Sequence, residues 1–481
     1  MKKVLSILLL IAMLIVSLVS CGGNGNGGTE TTTKPSGGTG GSGDAETTPY
    51  LEAQDLDGFE YVLLLPPNGQ TLSYNPDEID DNSIMERAKF QRDSEIKDRF
   101  NVVLKDLNSP QDAMVSFILT DAFNTESSYS AARPYGWEDV TPIISSQAAY
   151  NVLDMPYIDP EQPWYDSSAV EAYSFLGKMY FLPGMFPGLS TGDPLLFNKN
   201  MIDDIEGLEY PYQLIFDGEW TIDKMLEYTS AGYKDIDETP GPSRDDQFGY
   251  ASYKGGAYVF YAGFGEMSAT QDENGALIPV LSGGLMDTYF DKLYAFETNP
   301  DHYFADNSEW IEGKSVPALM FSEGRAMFTY WGTATVDYTD IDAFEYGLAI
   351  NPKYDLDQDR YYTIGAQVGV SFPVNLGDPD STGLVHEALC EASYRITYPA
   401  DIQESVEFER LTDEESIKVQ EICVESLVCD PTYRCDPSGG VNRLGVYFQS
   451  CLKEGTAPSI KVQEVGDVIR NAYNNFFYPQ G

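Results

Sequence analysis

Residues 188–192 match the G-x-S-x-G pattern, which in hydrolases carries a nucleophilic serine on a tight strand-to-helix turn. The surroundings differ from that context. Pro183, Pro187 and Pro194 flank the motif, and a strand-like LLF run follows where the elbow needs a helix. Because short patterns of this kind arise often in Gly-rich loops, we interpret Ser190 as a loop residue without a catalytic role.

Other residue types suited to chemistry are equally isolated. Asp355, Asp357 and Asp359 alternate as in a calcium loop, but no glycine and no bidentate glutamate follow at the required spacing, so we predict a solvated turn. Only two histidines, His302 and His386, are available to complete a metal set. The sequence therefore predicts no catalytic residues, no metal site and no cofactor.

Five cysteines fall in the last quarter of the chain, and none of them forms C-x-x-C: Cys390, Cys423, Cys429, Cys435 and Cys451. A zinc site is not expected from this spacing. An odd number leaves at least one without an intrachain partner, and the spacing leaves any pairing open.

The N-terminus has the order of a signal peptide: Lys2 and Lys3, an apolar run to Val19, and then Ser20-Cys21. The apolar run falls short of the roughly 20 residues that a bilayer core requires. The small residue before a cysteine resembles the lipobox of bacterial lipoproteins, whose thiol is lipid-modified. We predict a signal peptide over residues 1–20 and a lipidated Cys21 on the outer face of the cytoplasmic membrane.

A Gly/Thr/Ser-rich segment follows and shows no apolar periodicity. We predict a flexible tether over residues 21–56, in which a stretch of about 28 such residues averages roughly 30 Å end to end. The acidic excess, 76 Asp and Glu against 29 Lys and Arg, gives a net charge of −47, which disfavours nucleic acid and anionic lipid surfaces. Abundant aromatics, with 33 Tyr and 24 Phe, suit a neutral, hydroxyl-rich ligand.

The elements that follow the tether indicate an α/β fold. The apolar run at 59–65 predicts a buried strand, Ser83 and Glu86 predict a capped helix ending near Asn101, and the run from Val102 predicts a second strand. This β-α-β order favours a right-handed parallel unit. We also predict short strands within 177–183 and 194–199.

Two further helices are predicted. Trp220 precedes a helix with Thr221 as N-cap, and we expect Trp220 to pack onto the body of the protein. The C-terminal segment is amphipathic, with apolar residues at spacings of three and four: Val462, Val465, Ile469, Ala472 and Phe476. About 430 residues after the tether exceed what one hydrophobic core usually serves, so two lobes are expected.

Six short segments occur in the order and approximate spacing found in extracellular solute-binding proteins of ABC-type importers, in their carbohydrate-binding branch. They are GKMYFLPG, LLFNK, GEWTIDKMLEYT, DDQFGYA, FSEGRAMFTYWGT and FEYGLAINPKYD. The chain resembles this family over nearly all of residues 59–478. It departs in the loop at 235–245, which lacks the glycine-spaced acids of relatives that carry calcium there.

The resemblance implies a two-lobed, type II periplasmic-binding-protein-like fold, with mostly parallel sheets, flanking helices and a ligand cleft between the lobes. It places lobe 1 at 57–188 plus 350–400 and lobe 2 at 189–349 plus 401–481. It also implies a monomer without enzyme activity that binds a sugar or oligosaccharide and delivers it to ABC-type permease subunits, attached to the membrane through its lipid anchor only.

The same resemblance suggests where the ligand binds. The segment after F-x-x-G-x-A-M reaches the cleft in the family, which makes Trp331 the leading candidate for a sugar-stacking aromatic, with Tyr330 beside it. A packed core aromatic is the alternative for either residue.

Four other residues are weaker candidates for the ligand site. Trp164 and Tyr165 lie in a Pro-rich, polar loop, where we expect exposed aromatics. Tyr180 and Asp193 flank the presumed first passage between the lobes, and Asp193 could bond sugar hydroxyls.

Two other functions remain open at the level of the sequence. One is a secreted lipoprotein glycoside hydrolase or another surface carbohydrate-active protein, because 76 acidic residues offer many carboxylate pairs and the required separation is spatial. The other is an adhesin or surface scaffold. The identity and length of a ligand, and whether it is a sugar rather than a peptide or polyamine, also stay open.

Overall fold

The computed structural model describes residues 49–66, 72, 83–134, 137–187, 192, 194–239, 241–306, 310–311, 313–330, 344–365, 369–407, 413–433, 435–439 and 444–479. The predicted signal peptide, Cys21 and most of the tether lie outside them, as do Ser190, Asp193 and Trp331.

The strands are β1 (Phe59–Leu65), β2 (Val102–Asn108), β3 (Ala131–Ala132), β4 (Ser174–Phe175), β5 (Lys178–Met179), β6 (Leu182–Pro183), β7 (Leu195–Asn198), β8 (Phe248–Tyr253), β9 (Ala269–Gln271), β10 (Leu277–Pro279), β11 (His302–Ala305), β12 (Trp310–Ile311), β13 (Lys314–Ser315), β14 (Ala326–Tyr330), β15 (Tyr346–Ala349), β16 (Thr363–Ile364), β17 (Gly369–Val370) and β18 (Leu427–Val428). The helices are α1 (Ile84–Phe100), α2 (Gln111–Asp121), α3 (Trp137–Ser145), α4 (Ser167–Ala172), α5 (Lys199–Asp203), α6 (Tyr212–Phe216), α7 (Ile222–Ala231), α8 (Val259–Gly263), α9 (Met286–Glu297), α10 (Val316–Ser322), α11 (Pro379–Ala392), α12 (Tyr398–Glu407), α13 (Glu414–Glu425), α14 (Tyr447–Glu454) and α15 (Pro458–Phe477). A π-helical turn, Ser393–Thr397, joins α11 to α12.

The predicted β-α-β unit at the start of the domain is confirmed. Ser83 caps α1 by accepting a hydrogen bond from the backbone N–H of Glu86 at 3.2 Å. Asn101 ends the helix in the left-handed conformation, with φ of 48°. The chain then enters β2, which pairs with β1 in parallel, Phe59 opposite Val102.

A first sheet has the strand order β2-β1-β3, and all of its pairings are parallel. Residues 369–373 extend it, since Ser371 bridges Ala132 in antiparallel orientation and β17 pairs with β6 in antiparallel orientation. It follows that β6 runs in the same direction as β1. The predicted strand within 177–183 is in fact two short strands, β5 and β6.

A second sheet has the order β11-β8-β14-β7-β15. β11, β8 and β14 are parallel, whereas β7 is antiparallel to both of its neighbours. β15 therefore runs in the same direction as β14. The five-stranded sheet is thus mostly parallel with one reversed strand in its interior, whereas the pairs β4–β5, β6–β17, β9–β10 and β12–β13 are antiparallel.

Trp220 and the C-terminal helix attach to a large hydrophobic core around the second sheet. Thr221 caps α7 as predicted, accepting from the N–H of Lys224 at 3.2 Å. The helix α15 is also confirmed, but its buried face differs from the predicted one. Tyr473 and Phe477 are buried with Ile469, whereas Ala472 and Phe476 are only partly buried, because the larger aromatic pair bury more surface at the same helical spacing. A smaller core beneath the first sheet contains Leu64, Met114, Ile118 and Ile143.

Among the residues that the structure describes, no helix combines the length and the apolar character that crossing a membrane requires.

Candidate ligand cleft between the two sheets

Two chain segments connect the first sheet to the second. The first crossing, residues 184–194, joins the end of β6 to the start of β7, and the second crossing, residues 350–368, joins the end of β15 to the start of β17. In the second sheet, Leu195 at the start of β7 lies opposite Tyr330 and Ala349, the last residues of β14 and β15. Both crossings therefore meet the second sheet at the carboxyl ends of its parallel strands.

The first sheet meets the crossings in the same way. β6 runs parallel to β1, so Pro183 leaves the sheet at its carboxyl edge, and Gly369 of the antiparallel β17 enters there. The carboxyl edges of the two sheets thus adjoin the same junction. In open α/β sheets the crevice outside the carboxyl ends of the strands is the usual ligand site, so this junction is the candidate cleft.

Tyr330 ends β14 at this edge and is buried in the large core. The structure thus brings one predicted site residue to the edge of the cleft. Its neighbour Trp331 follows directly in the chain but lies outside the described residues. The ligand-stacking role of both residues stays a prediction.

Tyr180 lies between β5 and β6, shortly before the first crossing. Its half-buried side chain packs against both the large core and the smaller core of the first sheet. This position at the meeting of the two cores agrees with the place expected for it. Asp193, the other residue predicted here, lies outside the described residues.

The expectation that Trp164 and Tyr165 are exposed is wrong. Their side chains are only 5% and 6% exposed. The Tyr165 ring covers Gly184, where a Cβ atom would lie 2.9 Å from the ring, and the Trp164 carbonyl accepts a hydrogen bond from the Met185 N–H at 2.9 Å. The polar loop buries them because their polar atoms find a partner inside the protein, and any ligand contact by them stays a prediction.

That partner is Glu387 on α11. Its carboxylate accepts from the Trp164 indole N–H at 3.1 Å and from the Tyr165 hydroxyl at 2.5 Å. Glu387 itself is fully buried. Burial raises the pKa of Glu387 to about 7, against the opposing effect of the hydrogen bonds from Tyr165 and Trp164.

Two polar side chains that sequence reasoning missed lie near the same edge. Tyr253 ends β8, and its buried hydroxyl has no hydrogen-bond partner in the described part of the chain. Asn351 begins the second crossing two residues after β15, and neither atom of its fully buried amide has a partner there either. The sequence signal that could have identified them is their position, because Tyr253 ends an apolar strand and Asn351 follows one.

The second crossing is held to the second sheet by Trp220. The fully buried indole N–H donates to the Ile350 carbonyl at 2.9 Å, and the Trp220 carbonyl accepts from the Lys353 N–H at 3.0 Å. The ring packs edge-on against Tyr228 and stacks on Phe328 at centroid distances of 5.4 and 5.9 Å. The predicted packing of Trp220 onto the body is confirmed.

The residues considered for metal chemistry lie in two places, a turn within the second crossing and an acidic loop before β8. The turn at 355–359 is solvated as predicted, with Asp355 accepting from the N–H groups of Asp357 and Gln358. In the 235–246 loop the carboxylates of Asp235, Asp237 and Asp246 converge within 4.8 Å. Each accepts hydrogen bonds from the loop itself, including Ile236 and Ser243 N–H groups to Asp246. All five cysteines of the C-terminal quarter are buried.

Comparison with known proteins gives a match at the level of structure. No protein-family model and no curated protein sequence matches the chain. A cyclo/maltodextrin-binding protein in complex with maltotetraose matches with a TM-score of 0.56 and 12% identity, over 86% of this chain and 96% of that one. This is the two-lobed, type II periplasmic-binding-protein-like fold.

Two other solved structures support the same fold. A sugar transporter protein from Rhizobium etli in an open conformation matches with a TM-score of 0.57 and 13% identity, over 86% of this chain and 99% of that one. The GacH receptor of Streptomyces glaucescens, studied without ligand and with acarbose, matches with a TM-score of 0.53 and 13% identity, over 87% of this chain and 99% of that one. The predicted fold is confirmed, with the first sheet in lobe 1 and the second in lobe 2, while the residue boundaries of the lobes stay a prediction.

Proposed function

We propose that this protein is a substrate-binding lipoprotein that captures an extracellular sugar or oligosaccharide between its lobes and delivers it to an ABC-type importer. One observation carries the proposal: two crossings join the carboxyl edges of two sheets, in a fold that the matched proteins use to hold maltotetraose or acarbose. A ligand that contacts both edges stabilises the closed arrangement, which the importer would then recognise.

The residue types predicted for the site suit a hydroxyl-rich ligand. Sugars present apolar ring faces and polar rims, so a site for them needs aromatic surfaces and a few hydrogen-bonding groups. Tyr330 and Trp331 supply aromatic candidates on lobe 2, and Tyr180 supplies one near the first crossing. Asp193 would add a carboxylate acceptor for hydroxyl groups.

The test of this function is a glycan panel that includes maltotetraose and acarbose. Titration calorimetry on the purified protein should find at least one saccharide that binds with a 1:1 stoichiometry, and chromatography should show that saccharide unchanged after long incubation. Hydrolysis would favour the glycoside hydrolase alternative instead. Absence of binding to every saccharide, peptide and polyamine tested would favour a scaffold.

Trp331→Ala sharpens the test once a ligand is known. We expect affinity to fall about 10-fold or more, which corresponds to about 1.4 kcal/mol, while the ligand-free melting temperature changes little. The alternative of a core tryptophan predicts a loss of about 3 to 5 kcal/mol of folding stability with affinity retained. The matched control is Trp310→Ala, because Trp310 is a 54% exposed tryptophan in the same lobe.

Membrane attachment through Cys21 is tested separately. Cys21→Ala should release the protein from the membrane fraction, because an acyl anchor has no other attachment point in this proposal. Cell fractionation with and without detergent measures this, and a variant that still pellets in a detergent-sensitive manner would contradict the anchor.

A further inference from the structure

On the lobe 1 side of the cleft, helix α11 contacts the first crossing and the segment that follows β17, where the chain has returned from the second crossing. The His386 ring lies between Phe186 of the first crossing and Phe372, just after β17, at centroid distances of 5.7 and 5.0 Å. The Tyr61 hydroxyl on β1 is 2.8 Å from His386 Nδ1. One face of a single helix therefore supports the chain where it leaves lobe 1 and where it returns.

The next residue, Glu387, fastens a separate loop onto this support. Besides the Trp164 indole and the Tyr165 hydroxyl, the carboxylate accepts a hydrogen bond from the backbone N–H of Asp159. One carboxyl group thus bonds three polar groups of the loop at 159–165, and in its protonated form its own O–H donates to the Tyr165 hydroxyl, which then accepts. That loop in turn covers Gly184 and bonds Met185 at the start of the first crossing.

We propose that Glu387 is a positioning residue of the hinge, a latch that fixes the 159–165 loop against the first crossing and loosens when the carboxyl group loses its proton. The inference rests on the proposed function for its consequence, since the setting of the crossing decides how the lobes close on a ligand. The latch itself is a property of the ligand-free protein.

The direction of the effect follows from proton linkage. The carboxyl group has a pKa of about 7 inside the latch and its ordinary value of 4.5 where water reaches it. A state that binds its proton more tightly is favoured at low pH, so the closed latch is favoured in acid. The opening constant should rise roughly 80-fold as the pH increases from 4.5 to 7, and it should level off above pH 7 at roughly 300-fold its low-pH value.

Other charged and titratable groups surround the site and set the background of this titration. They are Asp159 in the loop, Tyr165 beside it, His386 and Cys390 on the same helix, Arg92 and Asp93 on α1, and Tyr61 on β1. Burial lowers the pKa of His386 to about 3 and raises the pKa of the Cys390 thiol, so neither group titrates between pH 5 and 8. Arg92 and Asp93 form a buried ion pair that offsets their charges. Glu387, with a pKa of about 7, changes charge in that range.

Hydrogen exchange at the Met185 amide measures the latch, because this N–H bonds the Trp164 carbonyl only while the loop is in place. After correction for the intrinsic exchange rate, protection in the wild type should fall between pH 5 and 7. Glu387→Gln keeps the shape of the side chain without a titrating group, so its protection should not vary over that range. Glu297→Gln is the control, because Glu297 is a half-buried lobe 2 residue whose carboxyl pKa burial also raises to about 7.

Tryptophan fluorescence gives a second readout, since the Trp164 indole touches the titrating carboxyl group. The fluorescence contributed by Trp164 is obtained by subtracting the signal of Trp164→Phe from that of the wild type, and it should show a transition near pH 7. The same transition should be present in Glu297→Gln and absent in Glu387→Gln. Equal pH dependence of Met185 protection in wild type and Glu387→Gln would overturn the proposal.

Tyr165→Phe covers the case in which Glu387→Gln does not fold. The ring that packs on Gly184 is kept, but one donor that lowers the pKa of Glu387 is lost. The exchange and fluorescence midpoints should both move to higher pH, and unchanged midpoints would refute the latch. None of these measurements uses a ligand, so they stand or fall separately from sugar binding.

Discussion

The two crossings are anchored by different physical means on the two sides of the cleft. In lobe 2, Trp220 holds the second crossing through backbone hydrogen bonds and packs among aromatic rings. In lobe 1, Glu387 and His386 hold the first crossing through a buried carboxyl group and a buried imidazole. The titratable ring that packs on the lobe 2 indole, Tyr228, has a pKa that burial raises to about 12, whereas the lobe 1 anchor contains Glu387, whose pKa burial raises to about 7.

The two anchors differ in how much they stabilise the fold and in how far that stabilisation depends on pH. Burying a large aromatic side chain contributes several kcal/mol and depends little on pH. A buried carboxyl group contributes less net stability, because desolvation opposes its hydrogen bonds, but its contribution changes with proton activity. We therefore expect lobe 2 to behave as the rigid base of the hinge and lobe 1 as the adjustable one.

The largest expected effect concerns the lobe 2 anchor. Trp220→Ala should lower the free energy of unfolding by about 3 to 5 kcal/mol, because it empties a fully buried site. Urea denaturation at pH 6 and pH 8 should give the same loss at both values. The control Trp310→Ala, at an exposed position, should stay within about 0.5 kcal/mol of the wild type. A loss that differed between the two pH values would contradict the contrast between the anchors.

An intermediate effect is expected for the pH dependence of the lobe 1 anchor. His386 has a folded pKa of about 3 against its ordinary 6.5, so its contribution is lost as pH falls below 6.5. Glu387 has a folded pKa of about 7 against 4.5, so its contribution is gained as pH falls over that range. The two neighbours offset each other between pH 6.5 and 4.5.

Glu387→Gln should remove this compensation. Between pH 6.5 and 5.0 the variant should lose about 2 kcal/mol more unfolding free energy than the wild type, at about 1.4 kcal/mol for each pH unit. Urea denaturation at the two pH values measures the difference. Glu227→Gln, at an exposed lobe 2 position, should follow the wild type. If Glu387→Gln and the wild type lost the same unfolding free energy between pH 6.5 and 5.0, Glu387 would not titrate as a buried group.

The smallest effects are expected at the helix N-caps. The caps of α1 and α7 make the same kind of hydrogen bond in the two lobes, so they provide a comparison in which no difference between the lobes is expected. Ser83→Ala in α1 and Thr221→Ala in α7 should each cost about 1 kcal/mol, because each removes one hydrogen bond to an unpaired helix N–H. Thermal unfolding of the two variants checks this. A cost above about 2 kcal/mol at Thr221 alone would show that its substitution also disturbs the neighbouring Trp220.

The elements that the sequence predicted well are those set by local chemistry. The strand at 59–65, the capped helix from Ile84 to Asn101 and the cap at Thr221 each depend on residues a few positions apart. The buried face of α15 was less predictable, because the choice between Phe476 and Phe477 depends on a distant partner, Phe175. Local periodicity could not distinguish them, since both fit an amphipathic helix.

The site shows the same division. The position of Tyr330 at the carboxyl edge follows from its place at the end of an apolar strand, which the sequence contains. The burial of Trp164 and Tyr165 does not, because it depends on Glu387, more than 200 residues away in the chain. The composition of a polar, proline-rich loop predicts exposure. Here the hydrogen-bond donors of the loop are buried because a carboxyl group on another element bonds them.

The sequence by itself therefore determined the α/β class, the local helix starts and ends, and the resemblance from which the two-lobed fold was predicted. Only the tertiary structure decided that the carboxyl edges of the two sheets share a junction and that α11 packs against both the first crossing and the segment after β17. The physical reason is that strand direction, register and the burial of charged groups arise from contacts between segments far apart in the chain. Such contacts leave no periodic signal in either segment, so they become visible only when the segments are placed together.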